Sequence, residues 1–209
     1  MIADKSFRFI LPPLILGLII SLFYVYVGIL FIGFSIYLIW FFRDPHREII
    51  INDKLIYAAA DGKIITVEYD QNNLKIAIRM SPFNVHINRS PIQGEIDSIE
   101  HIPGPHHNVY FGNIENKNER NLIKVIGKDV NCDILQITGA FARRIECWVN
   151  VKGLVTQAQK IGIIRLGSQT NMYIQSKTTS KSIKPLVNLG DKVFAGLTAV
   201  AEISDSDIS

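Results

Sequence analysis

Between Phe9 and Phe42 the sequence has no Asp, Glu, Lys, Arg or His, a gap of 34 consecutive residues. A water-soluble domain does not bury a run of that length, so a freely soluble protein is excluded. Cysteine is scarce too. Cys132 and Cys147 are too few for a disulfide framework and neither belongs to a CxxC pair, so two reduced thiols in strands are expected. The five histidines (46, 86, 101, 106 and 107) lack HExxH or any other ligand spacing, and no metal site is expected. Nor is there an excess of positive charge where nucleic acid would need it. Residues 48–209 hold 18 Lys/Arg against 17 Asp/Glu, which argues against a nucleic-acid partner. The apolar run is too long for a signal-peptide core, and no small-residue cleavage site precedes Arg43-Asp44-Pro45.

What is present is a chain of 209 residues, 48% hydrophobic and 20% charged, enough for a folded domain with a substantial core. The formal charge of +3 comes mainly from residues 1–47, where Lys5, Arg8, Arg43 and Arg47 bracket the apolar run and suit anionic headgroups. As one helix, 34 residues would measure about 50 Å against a hydrocarbon core of about 30 Å. A helical hairpin turning near 24–28, fully spanning or re-entrant, uses the whole run, with Pro12-Pro13 and Gly17 weakening its first arm. Basic residues at both ends place both on the cytoplasmic side. The expected division is a membrane-anchoring segment, 1–47, and a second domain, 48–209.

That second domain reads as β. Short β-branched segments recur every 8–12 residues: Leu55-Ile-Tyr-Ala-Ala, Lys63-Ile-Ile-Thr-Val-Glu-Tyr, Leu74-Lys-Ile-Ala-Ile-Arg-Met and Val85-His-Ile-Asn, then others to Met172-Tyr-Ile-Gln. Asp61-Gly62 and 70–73 supply turns. A mainly β, sandwich- or barrel-like domain follows, with helix expected only over 139–144 and 156–160. Ala60-Asp-Gly-Lys-Ile-Ile and Gly190-Asp-Lys-Val-Phe-Ala-Gly-Leu echo each other and resemble the turns of lipoyl-type sandwiches, but no modifiable lysine sits at a hairpin tip. The polar, Gly/Pro-punctuated stretch 98–121 has the character of a binding loop.

Gly167-Ser168 is by itself a common dipeptide. It gains meaning beside Ala59-Ala-Asp-Gly-Lys63, Met80-Ser-Pro-Phe-Asn-Val-His-Ile-Asn-Arg-Ser-Pro91, Asn118-Glu-Arg-Asn121 and Gln136-Ile-Thr-Gly-Ala-Phe-Ala-Arg-Arg-Ile145. In this order, and over essentially the whole chain, these segments resemble the phosphatidylserine decarboxylase family in its compact archaeal and bacterial form. The resemblance implies a self-processed proenzyme with a covalent pyruvoyl cofactor made from Ser168 and no metal. The Ser168 hydroxyl would attack the Gly167 carbonyl, the peptide bond would become an ester, and β-elimination would split the chain. The products would be a β chain, 1–167, and an α chain, 168–209, whose first residue becomes pyruvoyl with release of ammonia. In turnover a serine phospholipid would condense with that group as a Schiff base and lose CO₂.

Catalytic roles fall, on the same resemblance, to Ser168, His86 and Asp61: nucleophile, general base, and orienting carboxylate in Ser–His–Asp fashion. Asp61 also reads simply as a turn former. The longer bacterial members carry two histidines three residues apart in this motif. Here the first is His86 and Arg89 stands at the second, so His86 serves both steps or His106 or His107 substitutes. Asn118, Arg120, Asn121, Arg143 and Arg144 are candidates for the lipid phosphate, with structural ion pairs as the plainer role for the arginines. The expected partners are a membrane lipid and the companion chain of the same precursor, in a homo-oligomer at the cytoplasmic face of the cell membrane. Two alternatives stand beside this: the same reaction on an ether-linked archaeal serine lipid, and a tethered β-sandwich binding module whose Gly-Ser bond never cleaves.

Overall fold

The computed structural model describes residues 6–70, 72–107, 115–140, 144–165 and 168–205. The chain divides into two compact units, Met1–His46 and Arg47–Ser209.

The first unit is the expected helical hairpin. Helix α1 (Phe7–Ser21) and helix α2 (Val25–Phe41) are joined by a turn at 22–24, slightly earlier than the expected position. The helices touch backbone to backbone at their glycines: a Cβ on Gly28 would lie 2.6 Å from Ser21 Cβ and 2.7 Å from the Gly17 carbonyl oxygen. Helix α1 runs straight through Pro12 and Pro13, which forgo two backbone donors without ending it. The helices have 15 and 17 residues, about 22 and 25 Å at 1.5 Å per residue. No helix among the described residues is long and apolar enough to cross a membrane.

The second unit is antiparallel β throughout. Its main sheet has eight strands in the order β13 (Lys192–Val193), β2 (Gly62–Asp70), β3 (Asn73–Met80), β11 (Ser168–Ser176), β7 (Val130–Thr138), β6 (Arg120–Ile126), β5 (Gly94–Ile102) and β9 (Leu154–Val155). Two three-stranded sheets complete it. One is β1 (Leu55–Tyr57), β14 (Ala199–Asp205) and β12 (Lys181–Pro185); the other is β4 (Ile87–Arg89), β10 (Lys160–Ile164) and β8 (Ile145–Cys147). Period-two alternation turns Leu74, Ile76, Ile78, Ile123, Val125, Cys132, Ile134, Met172 and Ile174 inward. They join Ile56, Ile183, Val200 and Ile203 from the first small sheet and Ile161 and Ile164 from the second in one core. Bulges at 64–66 and 96–98 bend β2 and β5 and help the main sheet curl.

The two echoing segments lie side by side: Lys63 pairs with Lys192 and Gly62 with Val193. Gly196, at φ +72°, turns the chain tightly there, and a Cβ on it would lie 2.7 Å from Ala158 Cβ. Expected helix at 156–160 is replaced by a tight turn. Ala158 has φ +62°, and the Gln159 side-chain oxygen accepts the Thr156 backbone N–H at 2.9 Å. A residue in the left-handed region cannot continue a helix. Over 139–144 the described residues form no helix, and 141–143 lie outside them. Both cysteines are in strands and free, and burial pushes the Cys132 thiol far above its ordinary value.

Candidate active site

The strand register brings the segments singled out in the sequence to one end of the main sheet. There β2 begins at Gly62, β3 ends at Met80, β11 begins at Ser168, β7 ends at Thr138 and β6 begins at Arg120. Ser168 faces Met80 on one side and Thr138 on the other. The turns that carry Asp61, His86 and Asn118 lie at this same end.

Ser168 is fully buried, and its Oγ lies 3.8 Å from Met80 Sδ. Gly167 lies outside the described residues, as does Arg143. His86 immediately precedes β4 and is also buried. Its Nδ1 is 2.9 Å from the Asn84 carbonyl oxygen. A carbonyl only accepts, so Nδ1 carries the proton of the neutral ring and Nε2 is its basic nitrogen.

Asp61 is held differently from the Ser–His–Asp arrangement. Its two oxygens accept parallel hydrogen bonds from Arg47, at 2.8 and 2.7 Å, and Oδ1 also accepts the Ala195 N–H at 2.8 Å. Arg47 also donates to the Ala195 carbonyl. The histidine's orienting acceptor is thus the Asn84 carbonyl, while the carboxylate binds Arg47, which the sequence placed among the residues facing lipid headgroups but which is buried against Asp61 instead.

Beneath Ser168 a row of buried polar side chains crosses four strands. Asn121 Nδ2 donates to Gln136 Oε1 (2.9 Å), and Gln136 Nε2 to Asn88 Oδ1 (2.7 Å). Asn88 Nδ2 lies 3.3 Å from Thr170 Oγ1 and 3.9 Å from the Met80 sulfur. Unpaired amides at this depth would cost heavily; linked in a chain, they are satisfied and stiffen the floor of the site. Asn88, Gln136 and Thr170 went unassigned in the sequence, although parity marks two of them. Gln136 and Thr170 take inward positions on strands whose other inward residues are largely apolar, whereas Asn88, the middle of the three-residue β4, gives no such signal.

The candidates for phosphate contact separate. Asn118 is buried and spent on the protein: its amide donates to the Thr138 and His107 carbonyls at 2.7 and 2.8 Å and accepts the His107 N–H. Asn121 is held in the polar row. Arg120 is half-buried, donating to the Asn118 carbonyl at 3.2 Å, and Arg144 is exposed. His106 Nδ1 lies 3.1 Å from Thr138 Oγ1, and its Nε2 is 3.4 Å from a Glu119 oxygen. Among the described residues no group of His, Cys, Asp and Glu is arranged to hold a metal.

Comparison with known proteins places the chain among known sequences. The profile of the phosphatidylserine decarboxylase family matches residues 34–201. A phosphatidylserine decarboxylase proenzyme of Paraburkholderia xenovorans is 35% identical over 212 residues, 97% of each chain. The proenzyme of Polynucleobacter asymbioticus is 35% identical over 178 residues, covering 82% of this chain and 80% of its own. That of Syntrophus aciditrophicus is 35% identical over 181 residues, 82% of both.

Proposed function

The chain belongs to the phosphatidylserine decarboxylase family, a family of lyases in phospholipid biosynthesis, and from that premise we propose that it matures by cleaving itself at Gly167-Ser168 and then converts phosphatidylserine to phosphatidylethanolamine. The observation that carries this reading is the convergence of the motif segments around Ser168 at one end of the main sheet.

In maturation His86 Nε2 takes the Ser168 hydroxyl proton, because its Nδ1 proton is committed to the Asn84 carbonyl. The freed oxygen attacks the Gly167 carbonyl carbon, and the N–C bond gives way to an ester whose elimination divides the chain. The two pieces stay together, since β11, in the α chain, lies between β3 and β7 of the β chain. A pyruvoyl group is no larger than the serine it replaces, so the enclosed Ser168 position fits it; bound there, it supplies a carbonyl that takes up the electrons left when a carboxylate departs as CO₂.

Everything else falls to the chain's own side chains. The polar row of Asn121, Gln136, Asn88 and Thr170 fixes the floor. His86 returns a proton to the substrate carbon. Asp61 is a positioning residue, holding Arg47 and the turn at Ala195. Arg120 and Arg144 are the groups for the lipid phosphate, while Asn118 secures the segment that presents Arg120. The hairpin of 15- and 17-residue helices dips into the cell membrane, with the catalytic unit on the cytoplasmic side.

Intact mass measurement on the wild type and on Ser168→Ala tests the proposal. The wild type separates into residues 1–167 and a 42-residue piece, 168–209, with a blocked N-terminus. The variant stays a single chain of 23.6 kDa and releases no CO₂ from phosphatidylserine. Wild-type turnover in Ser168→Ala would overturn the cofactor assignment.

A further inference from the structure

We propose that the end of the second unit bearing Ser168 is a lipid-binding face in its own right, with Phe83, Phe194 and Leu197 entering the headgroup region of an anionic bilayer. This rests on the reading of the substrate as a membrane phospholipid, and it adds a second membrane contact that does not depend on the helical hairpin.

The large exposed apolar side chains of this end stand on its turns. Phe83 is 69% exposed, Phe194 51% and Leu197 45%. The register relates them to the site: Ser168 pairs with Met80, three residues before Phe83, and Gly62 beside Met80 pairs with Val193, the residue before Phe194. Both turns are tied by hydrogen bonds that keep these side chains outward. In the first, Asn84 Oδ1 accepts from the Ser81 N–H and hydroxyl at 2.8 and 2.7 Å. In the second, Leu197 and Thr198 N–H both donate to the Phe194 carbonyl, and Phe194 N–H donates to the Thr198 hydroxyl.

The opposite end of the sheet is different. Its connections 70–73, 127–129 and 177–180 are polar, and the exposed apolar residues there are Tyr69 and Ile126 within strands and Val151 and Leu154 at the entry to β9, which pairs with the start of β5.

Charge identifies the occupant. Lys63 and Lys192 are exposed and face each other across β2 and β13, and among the described residues neither forms an ion pair. Two like charges in register repel, and a negatively charged lipid surface relieves that repulsion while the neighbouring Phe194 and Leu197 bury apolar area. Arg47, where the chain enters from the helical unit, is pinned at this end by Asp61 and Ala195.

The test uses the full chain in vesicles of phosphatidylcholine with roughly 30% phosphatidylglycerol, the anionic component the lysines require. A polarity-sensitive fluorophore is placed on Phe83→Cys, Phe194→Cys or, at the polar end, Ser180→Cys, each in a Cys147→Ser background. Labels at 83 and 194 should shift to the blue and be quenched by lipids carrying a spin label, with the label at 180 unaffected. Equal quenching at all three positions, or none at 83 and 194, overturns the proposal. So does a blue shift that follows protein concentration in detergent without lipid, which would assign the face to a second copy of the chain.

An activity arm follows. Combined Phe83→Ser, Phe194→Ser and Leu197→Ser should lower turnover of bilayer phosphatidylserine about tenfold, with a short-chain soluble analogue within about twofold and self-cleavage intact as the check on folding. Equal loss on both substrates counts against the face. If the wild type decarboxylates neither substrate, the functional reading fails, while the quenching still decides whether this end meets lipid.

Discussion

Arg47 grips Asp61 through two parallel hydrogen bonds, at 2.8 and 2.7 Å, with both side chains almost wholly buried. The pair joins the first residue of the second unit to the turn that opens β2, and through Ala195 to the turn that follows β13. Removing one partner of a buried pair strands the other's charge. Arg47→Ala should therefore cost roughly 3–5 kcal/mol in unfolding free energy. Arg47→Lys should recover only part of this, because an ammonium cannot match the fork of two bonds. Denaturant unfolding of the detergent-solubilised chain measures both, and a loss in Arg47→Ala below about 1 kcal/mol would place the pair's weight elsewhere.

His86 and His106 are separable as proton carriers. His86→Ala should slow self-cleavage by roughly 10²–10⁴-fold, the usual contribution of a positioned base. His106 touches Thr138 and Glu119, so His106→Ala should leave the cleavage rate within about threefold. Time courses of chain splitting on a denaturing gel decide between them. Normal maturation without His86 would transfer the role to the His106–Thr138 pair beside Ser168.

Much of this was legible in the sequence for a physical reason: alternation is a local property. The hairpin, the β character of the second unit and the long strands β2, β3, β6 and β7 follow from residue parity and from turns such as Asp61-Gly62. Strands β12 and β14 escaped because Lys181-Ser-Ile-Lys-Pro has a single aliphatic residue and Ala-Val-Ala-Glu-Ile shows no apolar/polar alternation; they become strands by pairing with each other and, for β14, with β1. The expected helix at 156–160 failed for a similar reason. Gln157 bonds to the Asn52 and Leu55 carbonyls about a hundred residues away, and that anchorage holds the turn. At the site, the motifs located Ser168, His86 and Asp61, but partnership is a matter of three dimensions. Nothing local tells that Asp61 meets Arg47, or that Gln136 reaches Asn88.

Asp133 supplies a pH-dependent prediction away from the site. Burial raises its carboxyl above the ordinary value, Lys124 at 3.9 Å opposes this in part, and Asp97 adds to it. A carboxylate with a raised folded pKa weakens the fold when ionised. The penalty is absent below the ordinary Asp value, where both states are protonated, grows as pH rises from that value to the raised folded one, and is fully present above it. Asp133→Asn should therefore raise Tm by roughly 1–3 °C near pH 7 and change little near pH 3. An equal gain at both pH values would mean that ionisation is not the cause.

The helical hairpin should anchor without taking part in chemistry, because every proposed catalytic side chain belongs to the second unit, which has its own core. Deleting residues 1–42 retains Arg47 and its bonds to Asp61, so splitting at 167/168 should proceed at close to the wild-type rate. Membrane recovery should fall sharply yet leave weak binding to anionic vesicles, carried by Lys63, Lys192, Phe83 and Phe194. That remainder should diminish as salt screens the lysines, since the Debye length shrinks from about 10 Å at 0.1 M to about 3 Å at 1 M. Flotation at the two salt concentrations, with a denaturing gel of the same fractions, reads all of this at once. A truncated protein that unfolds cooperatively yet fails to split would show that the hairpin helps to build the site, and the anchor reading would be wrong.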